Sequence, residues 1–90
     1  MEHNRTELSD TQAGVLWMLQ SSPNLALRYR GFKWRYVALP QGWVVGKPSP
    51  GACESLSQRN LLQPVHPECA LKGDSFYRAS PESVAALEAR

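Results

Sequence analysis

The sequence has few of the residues from which metal and redox sites are built. Its 90 residues include two cysteines and two histidines, whereas a structural zinc site needs four ligands, usually in two close pairs. Only His66 and Cys69 are spaced as such a pair, since Cys53 stands alone. Two cysteines are also too few for the disulfide framework of a small secreted domain. We therefore predict reduced thiols, no metal ion and no cofactor.

A catalytic constellation is also missing from the residue pattern. The two histidines stand beside predicted loops or near the N-terminus, where they offer little general-base chemistry. No glycine loop has the spacing that cradles phosphate, since Gly42 and Gly46 flank a predicted strand instead. We therefore predict that the domain is not an enzyme.

Long apolar runs are absent, and none approaches the ~18–20 residues that a membrane-spanning helix requires. The opening Met-Glu-His-Asn-Arg lacks the basic-then-apolar order of a secretory signal. We therefore expect a cytoplasmic protein with no membrane partner. The length predicts one small domain at residues 8–90 after a frayed N-terminus at 1–7.

Acidic side chains are absent from residues 21–50. That segment holds five basic residues, at Arg28, Arg30, Lys33, Arg35 and Lys47. The formal net charge of the whole chain is only +2, so the positive charge is local. Charges act over about a Debye length, roughly 8–10 Å in physiological salt. This segment can therefore attract an anionic partner although the net charge is small.

Four of these cations alternate with aromatic residues between Arg28 and Tyr36. Successive side chains of a β-strand point to opposite faces. With a turn at Gly31, strands 25–30 and 32–39 form a hairpin with one apolar and one cationic face. We assign five aromatic residues to the core, because a small domain that exposed them all would aggregate. They are Tyr29, Phe32, Trp34, Tyr36 and Trp43.

The cationic face is our first candidate site. Arg28, Arg30, Lys33 and Arg35 are suited to contact nucleic-acid phosphates, where each cation releases counterions. Two alternatives remain open at this point. The face could be an ordinary solvated sheet surface, or it could dock on an acidic protein surface.

Capping signals predict three helices around this hairpin. Ser9 to Gln12 has the spacing of a capping box and opens the first helix. Ser49-Pro50 opens a second helix that ends near Asn60, and Ser80-Pro81 opens the third. Short connections favour antiparallel strands. The predicted fold class is α+β, in the order helix, hairpin, helix, two short strands, helix, with a short third strand at Trp43.

The second half of the chain resembles winged-helix domains. The run from Pro50 to Pro64, with Arg59-Asn60-Leu61-Leu62 at its end, is similar to the exit of their recognition helix. Phe76 to Leu87 resembles the strand and C-terminal helix that follow the wing. A hairpin occupies the place of the usual second helix, as in winged-helix-like small bacterial and phage proteins. That group includes regulators and proteins that bind other proteins.

The resemblance implies that the second helix lies against duplex DNA, with Ser55, Gln58 and Arg59 facing the bases. Gln and Arg can make bidentate contacts with adenine and guanine edges, although an ordinary polar helix face has the same composition. Our leading interpretation is a non-enzymatic nucleic-acid-binding domain, such as a small transcription regulator. The alternative is a protein-binding module, such as a small phage or plasmid inhibitor or an accessory subunit. A homodimer is open in either case.

Overall fold

The computed structural model describes residues 7–90, which form three helices and a five-stranded antiparallel sheet. The elements in chain order are α1 (Asp10–Ser21), β1 (Leu25–Arg30), β2 (Lys33–Ala38), β3 (Trp43–Gly46), α2 (Pro50–Gln58), β4 (Leu62–Val65), β5 (Ser75–Ala79) and α3 (Pro81–Glu88). The predicted α+β class and antiparallel sheet are confirmed. The predicted frayed N-terminus lies outside the described residues, apart from Glu7. None of the helices within residues 7–90 has the length and apolarity to cross a membrane.

The sheet is centred on β1, and its strand order is β3-β2-β1-β5-β4. The first three strands form a continuous meander, and β5 returns from the second half of the chain to pair with β1. Leu27 lies opposite Tyr36 on one side and Tyr77 on the other. Pairing of β1 with β5 therefore joins the two halves of the chain into one sheet.

The main core lies between the helices and one face of this sheet. Leu16 and Leu19 from α1 and Leu56 from α2 pack with Leu27 of β1, and all four are fully buried. Each such side chain stabilises the fold by about 1.5–3 kcal/mol relative to an exposed one. The buried Trp34 belongs to the same cluster. The alternation predicted for the hairpin thus places its apolar side against the helices.

The helix starts follow the predicted capping chemistry with one exception. Ser9 Oγ accepts a hydrogen bond from the Gln12 amide at 3.1 Å, and Gln12 Oε1 accepts one from the Ser9 amide at 2.9 Å. Ser49 Oγ likewise accepts from the Ala52 amide. Ser80 does not cap α3 with its side chain, because its hydroxyl donates to the carbonyl of Asn60 at 3.4 Å.

The assignment of all five aromatic residues to the core is wrong for two of them. Phe32 is 89% exposed and Trp43 is 70% exposed. Gly31 and Phe32 both have positive φ, at 58° and 64°, so the turn takes two residues and removes Phe32 from the strand alternation. Trp43 lies on β3, which within residues 7–90 is an edge strand that pairs with β2 alone.

The second face of the sheet is partly covered by residues 66–74, which we call the covering loop. Ala26, Val37 and Phe76 on this face are buried, and Cys69 of the loop packs against them. The loop also reaches Gly42, where an added Cβ would lie 2.9 Å from Cys69 Sγ. It therefore crosses the sheet from the β4 side to the turn before β3.

Candidate nucleic-acid interface

The hairpin register brings four basic residues together on one face. Arg28 lies opposite Arg35, and Arg30 lies opposite Lys33. The residues that alternate with them, such as Trp34, are in the helix-covered core, so the four cations are on the other face. Like charges directly opposite each other destabilise a sheet. The two cationic pairs therefore weaken the pairing of β1 with β2 unless an anion lies near them.

One of the four cations is engaged by the covering loop. Arg30 Nε donates to Asp74 Oδ1 at 2.6 Å, and Arg30 Nη2 donates to Asp74 Oδ2 at 2.7 Å. The side chain of Asp74 is only 1% exposed. These hydrogen bonds lower the pKa of Asp74 to about 2, with further help from the Leu71 amide and the charge of Arg28. At neutral pH Asp74 is therefore ionised, and Arg30 forms an ion pair with it.

Arg28 lies deeper in the same face. Its side chain is half-buried between Arg35 of β2 and Phe76 of β5. Its Nε is buried and has no hydrogen-bond partner among the described residues. Asp74 is also close enough to sense the charge of Arg28, so its single carboxylate offsets part of the positive charge on the β1 side of the predicted site.

Three cations remain available on the β2 and β3 side, and we call Lys33, Arg35 and Lys47 the cationic strip. Lys33 and Lys47 are exposed, and Arg35 is half-buried with Nη1 donating to the carbonyl of Trp34 at 2.7 Å. Lys47 directly follows Gly46, the partner of Tyr36, and so lies at the Arg35 end of the β2–β3 ladder. Within residues 7–90, no member of the strip forms an ion pair.

The predicted reading face of α2 is largely used inside the domain. Ser55 Oγ accepts a hydrogen bond from Gln12 Nε2 at 2.7 Å. Arg59 Nη1 donates to the carbonyl of Glu7 at 3.2 Å and to Gln12 Oε1 at 3.3 Å. Ser55 and Arg59 are therefore half-buried, and both hold α2 against α1. Gln58 alone of the three predicted residues is exposed.

Phe32 lies exposed at the tip of the hairpin, although the sequence pattern predicts it in the core. The ring of Phe32 meets Tyr29 edge-on, with 6.4 Å between centroids, and is otherwise open to solvent. It stands directly before Lys33 of the cationic strip. A two-residue turn at Gly31-Phe32, in place of a turn at Gly31 alone, predicts that Phe32 lies outside the strand.

The edge strand β3 presents a second exposed feature. Trp43, Val44 and Val45 are 70%, 50% and 58% exposed, respectively. In the described part of the chain β3 pairs only with β2. Its outer backbone edge is thus accompanied by three consecutive apolar side chains.

The cysteines and a small cavity are weaker candidates for a functional site than the cationic face. Burial raises the pKa of Cys53 to about 12, so its thiol is unreactive. Neither Cys53 nor Cys69 forms a disulfide. Over residues 7–90, no three His, Cys, Asp or Glu side chains cluster as metal ligands do. A cavity of about 150 Å³ beside His66 and Asp74 is below the ~300–1,000 Å³ of usual small-molecule sites.

The arrangement is suited to binding a polyanion. It combines the cationic strip, whose charges have no acidic partner in the described part of the chain, with an exposed aromatic ring at Phe32. Cations neutralise phosphates, and aromatic rings stack on bases. No protein-family model, curated protein or solved structure matches the chain.

Proposed function

We propose that the chain is a non-enzymatic, winged-helix-like domain that binds duplex DNA through its β1–β2 hairpin. The observation that carries the proposal is the cationic strip, in which Lys33, Arg35 and Lys47 lack an acidic partner among the described residues. Each cation that neutralises a phosphate releases condensed counterions, which drives association. A small transcription regulator is the role that such a domain fits.

The proposal moves the main DNA contact from α2 to the hairpin. Ser55 is hydrogen-bonded to α1 and Arg59 to the carbonyl of Glu7, so these two side chains fix the position of α2. Gln58 remains exposed, but α2 packs on the sheet face opposite the cationic strip, so Gln58 is not part of the proposed contact. Support for the winged-helix likeness comes from the helix exit at Arg59 to Leu62 and from the strands and helix that follow it.

A panel of charge variants tests the proposal. We expect Lys33→Ala and Lys47→Ala each to weaken binding to duplex DNA of any sequence, because phosphate contacts carry no sequence information. Arg90→Ala is the matched control, since Arg90 pairs with Asp10 at the start of α1, on the helix side of the sheet. Fluorescence anisotropy with a labelled duplex measures the affinities. Equal losses for Arg90→Ala and the strip variants would contradict the proposed site.

A second candidate function, protein binding, is favoured by the exposed edge strand. Trp43, Val44 and Val45 lie on a strand whose outer edge has no partner strand among the described residues, and such edges accept a strand from another protein. An inhibitor or accessory subunit would dock in this way. Val44→Lys should then abolish capture of a stoichiometric, nuclease-resistant partner from the native host. Capture that is unaffected by Val44→Lys would contradict docking at β3.

A further inference from the structure

Phe32 occupies a backbone conformation that a bulky side chain rarely adopts. The two-residue turn between β1 and β2 has positive φ at both of its residues, Gly31 and Phe32. Turns of this kind usually carry Asn or Gly at these positions, because an L side chain with φ near +60° is strained. Gly31 suits its position, whereas Phe32 does not. The turn would form more readily with Asn, Asp or Gly there.

The fold gains little from this residue in return. The residue is 89% exposed, and among residues 7–90 its ring meets one other aromatic ring, the edge-on neighbour Tyr29. Exposure of a phenyl ring to water is itself unfavourable. Phe32 thus combines backbone strain with an exposed apolar surface. Strain of this kind concentrates at contact sites, where the surroundings or a ligand make use of it.

The neighbours of Phe32 indicate what it contacts. All four residues of the tip, Arg30 to Lys33, are exposed, and Arg30 and Lys33 face each other across the two strands. An apolar ring next to the exposed cation Lys33 matches a stacked array of bases bordered by phosphates. Proteins kink duplex DNA by inserting such apolar side chains between base steps from the minor groove.

We infer that Phe32 is a wedge that the hairpin inserts between adjacent base pairs, while Lys33 and the rest of the cationic strip hold the phosphates. This inference rests on the proposed DNA-binding function. The preferred ligands are then duplexes whose base pairs unstack easily. Pyrimidine–purine steps such as TA have the lowest cost of unstacking and should be preferred.

The test compares the wild-type chain with Phe32→Asn, because Asn tolerates left-handed backbone and lacks the ring. The probe is a duplex with 2-aminopurine at a central TA step, whose fluorescence rises on unstacking. Wild type should raise the fluorescence. Phe32→Asn should unfold at the same or a higher temperature, bind about five- to a hundredfold more weakly, and leave the fluorescence unchanged. Trp17→Gln removes another exposed aromatic ring, on α1, and should match wild type.

The outcomes separate the two claims. If the wild type and Phe32→Asn bind equally well and raise the fluorescence equally, the wedge is wrong and the proposed function stands. If Phe32→Asn loses affinity without any fluorescence rise in wild type, Phe32 contacts DNA from outside the stack and the wedge is again overturned. If the wild type does not bind duplex at low salt, the proposed function fails and the wedge fails with it.

Discussion

Asp74 determines how much of the hairpin's positive charge is available to a partner. Its carboxylate binds Arg30 through two hydrogen bonds and lies near Arg28. A single buried carboxylate therefore occupies the β1 side of the cationic face. The β2 and β3 side, with Lys33 and Lys47, is left for external anions.

The lowered pKa of Asp74 makes a specific prediction about acid stability. Its folded-state pKa is about 2, against a usual value of 3.8. The group therefore contributes stability above about pH 4 that is lost as the pH falls toward 2. We expect wild type to be more stable than Asp74→Asn at pH 6, with the difference shrinking between pH 4 and pH 2. Thermal unfolding midpoints across this range measure it. A difference that is constant from pH 6 to pH 2 would contradict the Arg30–Asp74 pair.

The covering loop contacts the turn before β3 at Gly42. The backbone there has φ +85°, and an added Cβ would lie 2.9 Å from Cys69 Sγ. Loop and turn therefore meet without room for a side chain. Because the loop also carries Asp74, its docking and the pairing of Arg30 are linked.

We expect Gly42→Ala to destabilise the fold by about 1–3 kcal/mol, because the substitution strains the left-handed backbone and displaces Cys69. Gly51→Ala in α2 is the control, since nothing lies within 4 Å of its added Cβ and its φ is not positive. The control should be neutral or stabilising by about 0.5–1 kcal/mol. Urea unfolding compares the two variants. Equal stabilities would show that the loop does not rest on Gly42.

Elements set by neighbouring residues were predictable from the sequence, and contacts between distant residues were not. The capping box at Ser9 and the end of α2 near Asn60 depend on short spacings, and both occur as expected. The pairing of Asp74 with Arg30 joins residues 44 positions apart. The contacts of Ser55 and Arg59 with Gln12 of α1 are also long-range, and a polar helix face does not reveal that another helix packs against it.

The two faces of the sheet have different roles in the molecule. One face holds the helices and most of the core, including the buried Trp34 and Tyr36. The other is divided between the covering loop and the cationic strip. The hairpin belongs to both, so substitutions in the strip should change binding without unfolding the core.

The most direct test of the account is the salt dependence of duplex DNA binding by the wild-type chain. Each phosphate neutralised contributes a slope of about −0.9 to the plot of log affinity against log salt, so a strip of three cations predicts a slope near −3. The double variant Lys33→Ala, Lys47→Ala should reduce the slope to about −1. Absence of binding at low salt, or a slope that the double variant leaves unchanged, would contradict DNA binding through the hairpin.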